Sequence, residues 1–247
     1  MIIAASIIRN EEKTIQLMLE SLSWVDQIVI YNDHCNDFTL DLIRDYCCMC
    51  NKRKVVVVDP LLPFTMFSYT KAQKRDISKE IIIRNKFIDY LFDTYCFDAL
   101  VLIDGDELMS KFLKKEINNF IKLKHKPSGI ALSCYHLFTK KKYLNVYPAK
   151  WNNQRLIDPH IRVLFDKRHY CVGLYPGVPD CFLKPNSTTY CCSEPYHFHL
   201  KYFKKLNFQN HSLRFLPKKI SEINASAYLR DIPKKCPMDI KQIIKMI

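Results

Sequence analysis

Three short apolar runs near the start of the chain limit what it can fold into. They are Ile2 to Ile8, Gln27-Ile-Val-Ile-Tyr31 and Lys54-Val-Val-Val-Val-Asp59. Runs this short, bounded by polar residues, read as strands buried on both faces. Helical patterns separate them. Ile15, Leu17, Met18, Leu19 and Leu22 form one apolar stripe, and Phe38, Leu40, Leu42 and Ile43 lead to Tyr46 in another. Asn10 and Asp37 stand where N-caps are expected. A β-α-β-α-β order at this density requires parallel strands joined by right-handed crossovers. In an open α/β sheet of this kind, ligands bind in the crevice beyond the carboxyl ends of the strands.

Residues 60 to 76 break the rhythm with Pro60, Pro63 and a basic run, and a loop this long in a compact domain is usually functional or mobile. Helical spacing resumes from Ile77 to Tyr95. The stretch Asp98-Ala-Leu-Val-Leu-Ile-Asp-Gly-Asp-Glu-Leu108 follows, in which the apolar residues Ala99 to Ile103 run into Asp104, Gly105, Asp106 and Glu107. Carboxylates packed this closely repel by roughly 4 kcal/mol per pair at about 4 Å and an effective dielectric of about 20. A hard divalent cation relieves that repulsion, because Mg²⁺ and Mn²⁺ take carboxylate oxygens and leave positions for water and phosphate. The plain alternative is a solvated acidic turn, with Asp106 or Glu107 capping the helix expected over Phe112 to Leu123. Ser128 to Leu137 reads as a further strand.

The second half shows no further β-α repeat. Strand candidates are His160 to Phe165 and His169 to Leu174, Pro176-Gly177-Val178-Pro179-Asp180 reads as a turn, and the last fifty or so residues read as helical. His197 and His199, two apart in Tyr196-His-Phe-His-Leu200, share one face if that segment is a strand. With 247 residues and 48% apolar content, the chain has material for a sizeable core. The net charge of +13 raises nucleic acid, an anionic membrane or phosphorylated ligands as partners. No nucleic-acid motif accompanies the lysines, so nucleic acid is not expected. The eleven cysteines lack zinc spacing, and their odd count, with no signal peptide, favours a reducing, cytoplasmic compartment. Cys96 and Cys134 are expected as buried free thiols. Contact with a membrane surface is a further expectation.

Three polar clusters thus follow buried parallel strands: Arg9-Asn10-Glu11-Glu12, Asn32-Asp33-His34 and Asp104-Gly105-Asp106-Glu107. With Arg84-Asn85-Lys86 at the helix before the acidic strand, and Asp37 after the second cluster, residues 1 to 137 resemble a family 2 glycosyltransferase of the GT-A fold. The Asp-x-Asp motif would be Asp104 and Asp106. The resemblance implies an α/β fold with a Rossmann-like, mostly parallel sheet, flanking helices and a mixed acceptor region. It also implies a division into a nucleotide-sugar-binding core at 1–137, an acceptor side at 138–200 and a helical appendage at 201–247.

What the resemblance implies chemically is sugar transfer from a nucleotide sugar, a UDP-sugar first, to a hydroxyl of a glycan, lipid-linked or protein acceptor. Asp33 would contact the base, Asp104 the ribose or sugar, and Asp106 the Mn²⁺ or Mg²⁺ on the diphosphate. Arg9, Asn10, Glu11 and Arg84 would help hold the donor, and His199 is a candidate metal ligand. Asn32 departs from the family, where a first aspartate is frequent. Inverting members use an Asp or Glu from the second half as base, and Asp180 and Asp158 are the candidates. Arg162 resembles an arginine of the acceptor half. Two other readings compete. A sugar-phosphate nucleotidyltransferase also places acids at strand ends, but usually carries a glycine-rich, lysine-ended loop near the N-terminus. A degenerate nucleotide-sugar-binding protein need not keep a repulsive acidic cluster.

Overall fold

The computed structural model describes residues 1–49, 54–66, 76–125, 127–137, 142–144, 160–166, 169–175, 178–183, 189–200, 229–231 and 238–246. The expected opening alternation is present: β1 (Ile2–Ile8), α1 (Ile15–Ser21), β2 (Gln27–Asn32), α2 (Thr39–Met49) and β3 (Lys54–Val58). Then come α3 (Ile77–Thr94), β4 (Ala99–Leu102), β5 (Glu107–Met109), α4 (Leu113–Ile121) and β6 (Gly129–Leu137). The second half supplies β7 (Lys142–Leu144), β8 (His160–Leu164), β9 (His169–Tyr175), β10 (Val178–Leu183), β11 (Thr189–His199), β12 (Leu229–Asp231) and α5 (Met238–Met246).

Six central strands lie in the order β3-β2-β1-β4-β8-β6. The first four are mutually parallel, and β8 runs against both β4 and β6, so five of the six point one way. β11 joins parallel to β6, and β5 pairs antiparallel to β11. β7 and β12 extend the far edge, while β9 and β10 form a separate hairpin.

Every residue of β1 is buried, and its alternation explains the layering. Ile2, Ala4 and Ile8 face a cluster with Ile15, Met18, Leu19 and Leu22 of α1, Ile43 of α2 and Ile117 of α4. Ile3, Ala5 and Ile7 face another with Ile83, Phe87, Ile88 and Leu91 of α3. The sheet is therefore covered by helices on both faces, as a parallel sheet requires.

Four expectations are corrected. Asn10 does not cap α1; its backbone is left-handed, at φ 57°, and the cap position belongs to Thr14. Neither Asp106 nor Glu107 caps α4, whose cap position is Phe112, because the chain first forms β5. Cys96 is exposed rather than buried, since it lies in the connection between α3 and β4. Asp180 stands not in a turn but within β10, opposite Val172. Within the C-terminal region, β12 pairs with β7, and Ile240 and Ile243 of α5 pack with Leu108, Phe198 and Leu200. Asp158, Cys134's side chain and most of 201–247 lie outside what is described.

Candidate functional site

Parallel pairing brings the three polar clusters to one edge. The Asp33 N–H donates to the Ile8 carbonyl at 2.9 Å, and that of Ile103 to the Ala5 carbonyl at 3.1 Å. The loops after β1, β2 and β4 are thereby fastened to one another. Asn10 Nδ2 donates to Asn36 Oδ1 at 2.7 Å and the Asn36 N–H returns to Asn10 Oδ1 at 2.9 Å. Asp37, the expected cap of α2, does accept from the Thr39 N–H at 3.0 Å, and also from the Glu12 N–H at 3.3 Å.

Asp33 is fully buried, and its carboxylate holds the loop after β3. Thr65 Oγ1 donates to Asp33 Oδ2 at 2.7 Å and the Met66 N–H reaches the same oxygen at 3.2 Å. Arg9 Nη1 closes the ring, donating to Thr65 Oγ1 at 2.7 Å and to the Asp33 carbonyl at 2.9 Å. Tyr31 Oη accepts from the Leu61 N–H, so residues 61–66 form a strap fixed to the end of β2. Sequence reading missed Thr65 because nothing in that proline-containing break marks one hydroxyl as buried.

The acidic turn is held from three sides. Arg84, on α3, donates from Nη2 to Asp104 Oδ1 at 2.9 Å, and is itself aligned by Nε on Glu80 Oε1 at 2.8 Å. Glu80 is fully buried, and its i,i+4 spacing from Arg84 is a signal the sequence does carry. Asp106 Oδ2 lies 2.9 Å from Nε2 of His199, and both side chains keep a little solvent access, at 19% and 15%. Glu107 is buried; its Oε1 accepts from Arg162 Nη2 at 2.8 Å and sits 3.1 Å from His197 Nε2. Although burial alone would raise it, the Arg162 guanidinium and then His197 hold the Glu107 carboxyl well below the usual range. Burial keeps His197 below the ordinary histidine value.

Glu11 completes the corner. Its pKa is pushed well above the usual carboxylate range, first by burial and then by the negative charge of Asp106 and Asp104, although Thr14 donates to its Oε2 at 2.8 Å. A Cβ added at Gly105 would lie 2.6 Å from Glu11 Cγ, so glycine is what lets the turn approach this side chain. Among the described residues no group of three or more His, Cys, Asp or Glu side chains is arranged to hold a metal ion. The donor set nonetheless fits a hard divalent cation. One carboxylate and one imidazole meet at a solvent-reachable point beside further carboxylates, and Mg²⁺- or Mn²⁺-type ions take few protein ligands, completing their shell with water and phosphate oxygens.

Of the expected site residues, the structure thus brings together Arg9, Asn10, Glu11, Asp33, Arg84, Asp104, Asp106 and His199. It spends Arg9 and Asp33 on the strap. Asp180 lies in the β9–β10 hairpin, which runs beside α3.

No protein-family model matches this chain, and neither does any curated protein. Solved structures do. A 1–349 fragment of S. aureus TarS superposes with a TM-score of 0.52 at 15% identity, covering 92% of this chain and 68% of that one. A second TarS structure gives 0.51 at 14% identity, again over 92% of this chain, which spans 41% of its length. A Pyrobaculum calidifontis mannosyltransferase, solved with GDP-mannose and Mn²⁺, gives 0.37 at 16% identity over 56% of this chain and 36% of its own. The mixed α/β fold, with its mostly parallel six-strand centre and flanking helices, is shared with the TarS structures.

Proposed function

We propose that the chain is a metal-dependent, family 2-like glycosyltransferase. It transfers a hexosyl unit, with inversion, from a nucleotide sugar, a UDP-sugar first, to an acceptor hydroxyl on a glycan, lipid-linked or protein substrate. The observation that carries this reading is the Asp106–His199 pair at 2.9 Å, solvent-reachable, at the carboxyl edge of β1, β2 and β4 and beside Asp104 and Glu11. Such a corner gathers carboxylates at a ligand crevice, with Arg84 set against Asp104 and His199 against Asp106.

Each residue then has a task. Asp106 and His199 would hold the divalent ion, and a nitrogen donor favours Mn²⁺ over the harder Mg²⁺. The ion, when bound, supplies stabilisation of the charge that develops on a departing nucleoside diphosphate. Asp104, steadied by Arg84, faces the ribose or sugar. Asp33 serves the base; with its oxygens engaged by Thr65 and Met66, it does so by exchanging one of those bonds for a base N–H. Asn10 and Arg9 shape the wall of that pocket through Asn36 and Thr65. The acceptor hydroxyl loses its proton to a carboxylate of the second half, Asp180 before Asp158. Among the described residues no helix is long and apolar enough to cross a membrane, so a lipid-linked acceptor would be met from the surface.

The test is release of nucleoside diphosphate from a panel of nucleotide sugars with Mn²⁺. Asp106→Asn and His199→Ala are expected to lower it by at least about 100-fold, and Asp180→Asn to lower kcat with little change in donor KM. Release that survives Asp106→Asn unchanged overturns the metal assignment. Formation of a sugar nucleotide and pyrophosphate from a sugar 1-phosphate and a nucleoside triphosphate would point instead to a nucleotidyltransferase.

A further inference from the structure

Glu107 ties the acidic turn to two strands of the second half at once. Its own N–H donates to the Asp104 carbonyl at 3.1 Å, and its Oε2 accepts from the Asp104 N–H at 2.9 Å. These reciprocal bonds between the same two residues close the Asp104-Gly105-Asp106 turn at its base. The other oxygen, Oε1, meets Arg162 of β8 and His197 of β11. Just past β11 comes a backbone tie, from the Leu200 N–H to the Asp106 carbonyl at 2.8 Å.

We propose that Glu107, Arg162 and His197 are positioning residues: together they fix the backbone of the acidic turn so that Asp104 and Asp106 present their carboxylates outward. None of the three needs to touch a ligand. Glu107 reaches the Asp104 N–H only because its arm is one methylene longer than an aspartate's, and it stays in place because Arg162 supplies the countercharge a buried carboxylate requires. Partners that orient a site's ligands from behind are typically worth about 10–100-fold in metal affinity or activity. The inference rests on the donor-site reading for its ligand, but the geometry it describes exists without one.

Two measurements on the full chain test it. The first is direct binding of Mn²⁺, followed by the paramagnetic resonance of the free ion, and of UDP in its presence. Glu107→Asp, which keeps charge but loses reach, and Arg162→Met are each expected to bind about 10–100-fold more weakly than wild type while remaining folded. Arg162→Lys, which keeps the charge, should recover part of the loss, and His197→Gln, which keeps a donor at similar reach, most of it. The second is amide hydrogen exchange over residues 103–108 without metal, expected to speed up at least about tenfold in Glu107→Asp and Arg162→Met. Folded variants with wild-type exchange in that segment overturn the proposal. Wild-type protein that binds neither Mn²⁺ nor UDP, yet shows the exchange difference, overturns the donor-site reading and leaves the positioning role standing. Should Arg162→Met fail to fold, Glu107→Asp and Arg162→Lys carry the exchange comparison, and the proposal fails if neither differs from wild type.

Discussion

At the scale of residues, the contact between Gly105 and Glu11 is the most sensitive point of the site. The space is closed by packing rather than by backbone conformation, because Gly105 does not occupy the left-handed region. Gly105→Ala is therefore expected to cost about 1–3 kcal/mol through overpacking. Glu11→Ala should return most of it, giving a coupling of about 0.5–3 kcal/mol in a double-mutant cycle read by urea unfolding. Glu11 also predicts a pH dependence. A carboxyl whose folded pKa is raised contributes stability that is complete below its unfolded value and is lost as pH rises through the folded one. In chelator-containing buffer, Glu11→Gln should match wild type near pH 4 and become the more stable protein toward neutrality; parallel curves would show that the Glu11 proton is not held. Asp104, Asp106 and Glu107 were legible in the sequence as a group because they end an apolar run. Their division of labour was not. Which acid turns outward and which is buried depends on Arg162 and His197, residues that reach Glu107 only after the second half has folded.

At the scale of elements, β1 to β4, β6 and the first four helices follow from hydrophobic period, α3 and α4 lie within a few residues of their expected limits, and the short β5 was not foreseen. What sequence reading lacked was the destination of α5. Its Asp239 accepts from the Lys111 N–H at 2.7 Å and from the hydroxyl of buried Ser110 at 3.1 Å, joining the C-terminal helix to the segment just after β5. Such a bond spans more than a hundred residues of chain and leaves no local pattern. Asp239→Ala removes the acceptor of the buried Ser110 hydroxyl and a charge-assisted bond to the Lys111 N–H, expected to cost about 2 kcal/mol. For a chain of this size that lowers Tm by roughly 4–8 °C, measurable by calorimetry. Asp239→Asn keeps an acceptor and should lose about half as much.

At the scale of the whole molecule, one sheet serves two purposes. Its first four strands open the crevice, and β8 and β11 from the second half of the chain brace it. Ligand binding should therefore be felt globally. With UDP at about 100 times its dissociation constant in saturating Mn²⁺, nucleotide binding is expected to add about 2.7 kcal/mol, raising Tm by roughly 5–11 °C. Chelator should abolish the shift, and Asp106→Asn should prevent it. Sidedness was the least legible property from sequence. The apolar runs say that strands are buried on both faces, but only pairing decides that α3 lies on one side while α1, α2 and α4 lie on the other.

The pairing of β11 with β6 slips between Cys192 and His197, where five steps along one strand face two along the other. Beyond that slip, His197 and His199 both meet the acidic turn while Phe198 is buried among apolar side chains. Side chains alternate along a strand, so the site depends on parity. A shift of this pairing by one residue would turn Phe198 toward Glu107 and both histidines into the apolar cluster, whereas a shift of two would keep the phase. The slip takes up unmatched residues ahead of the histidines, so their phase is set by the bonds to β5 and β6 beyond it and not by the number of residues between 193 and 196.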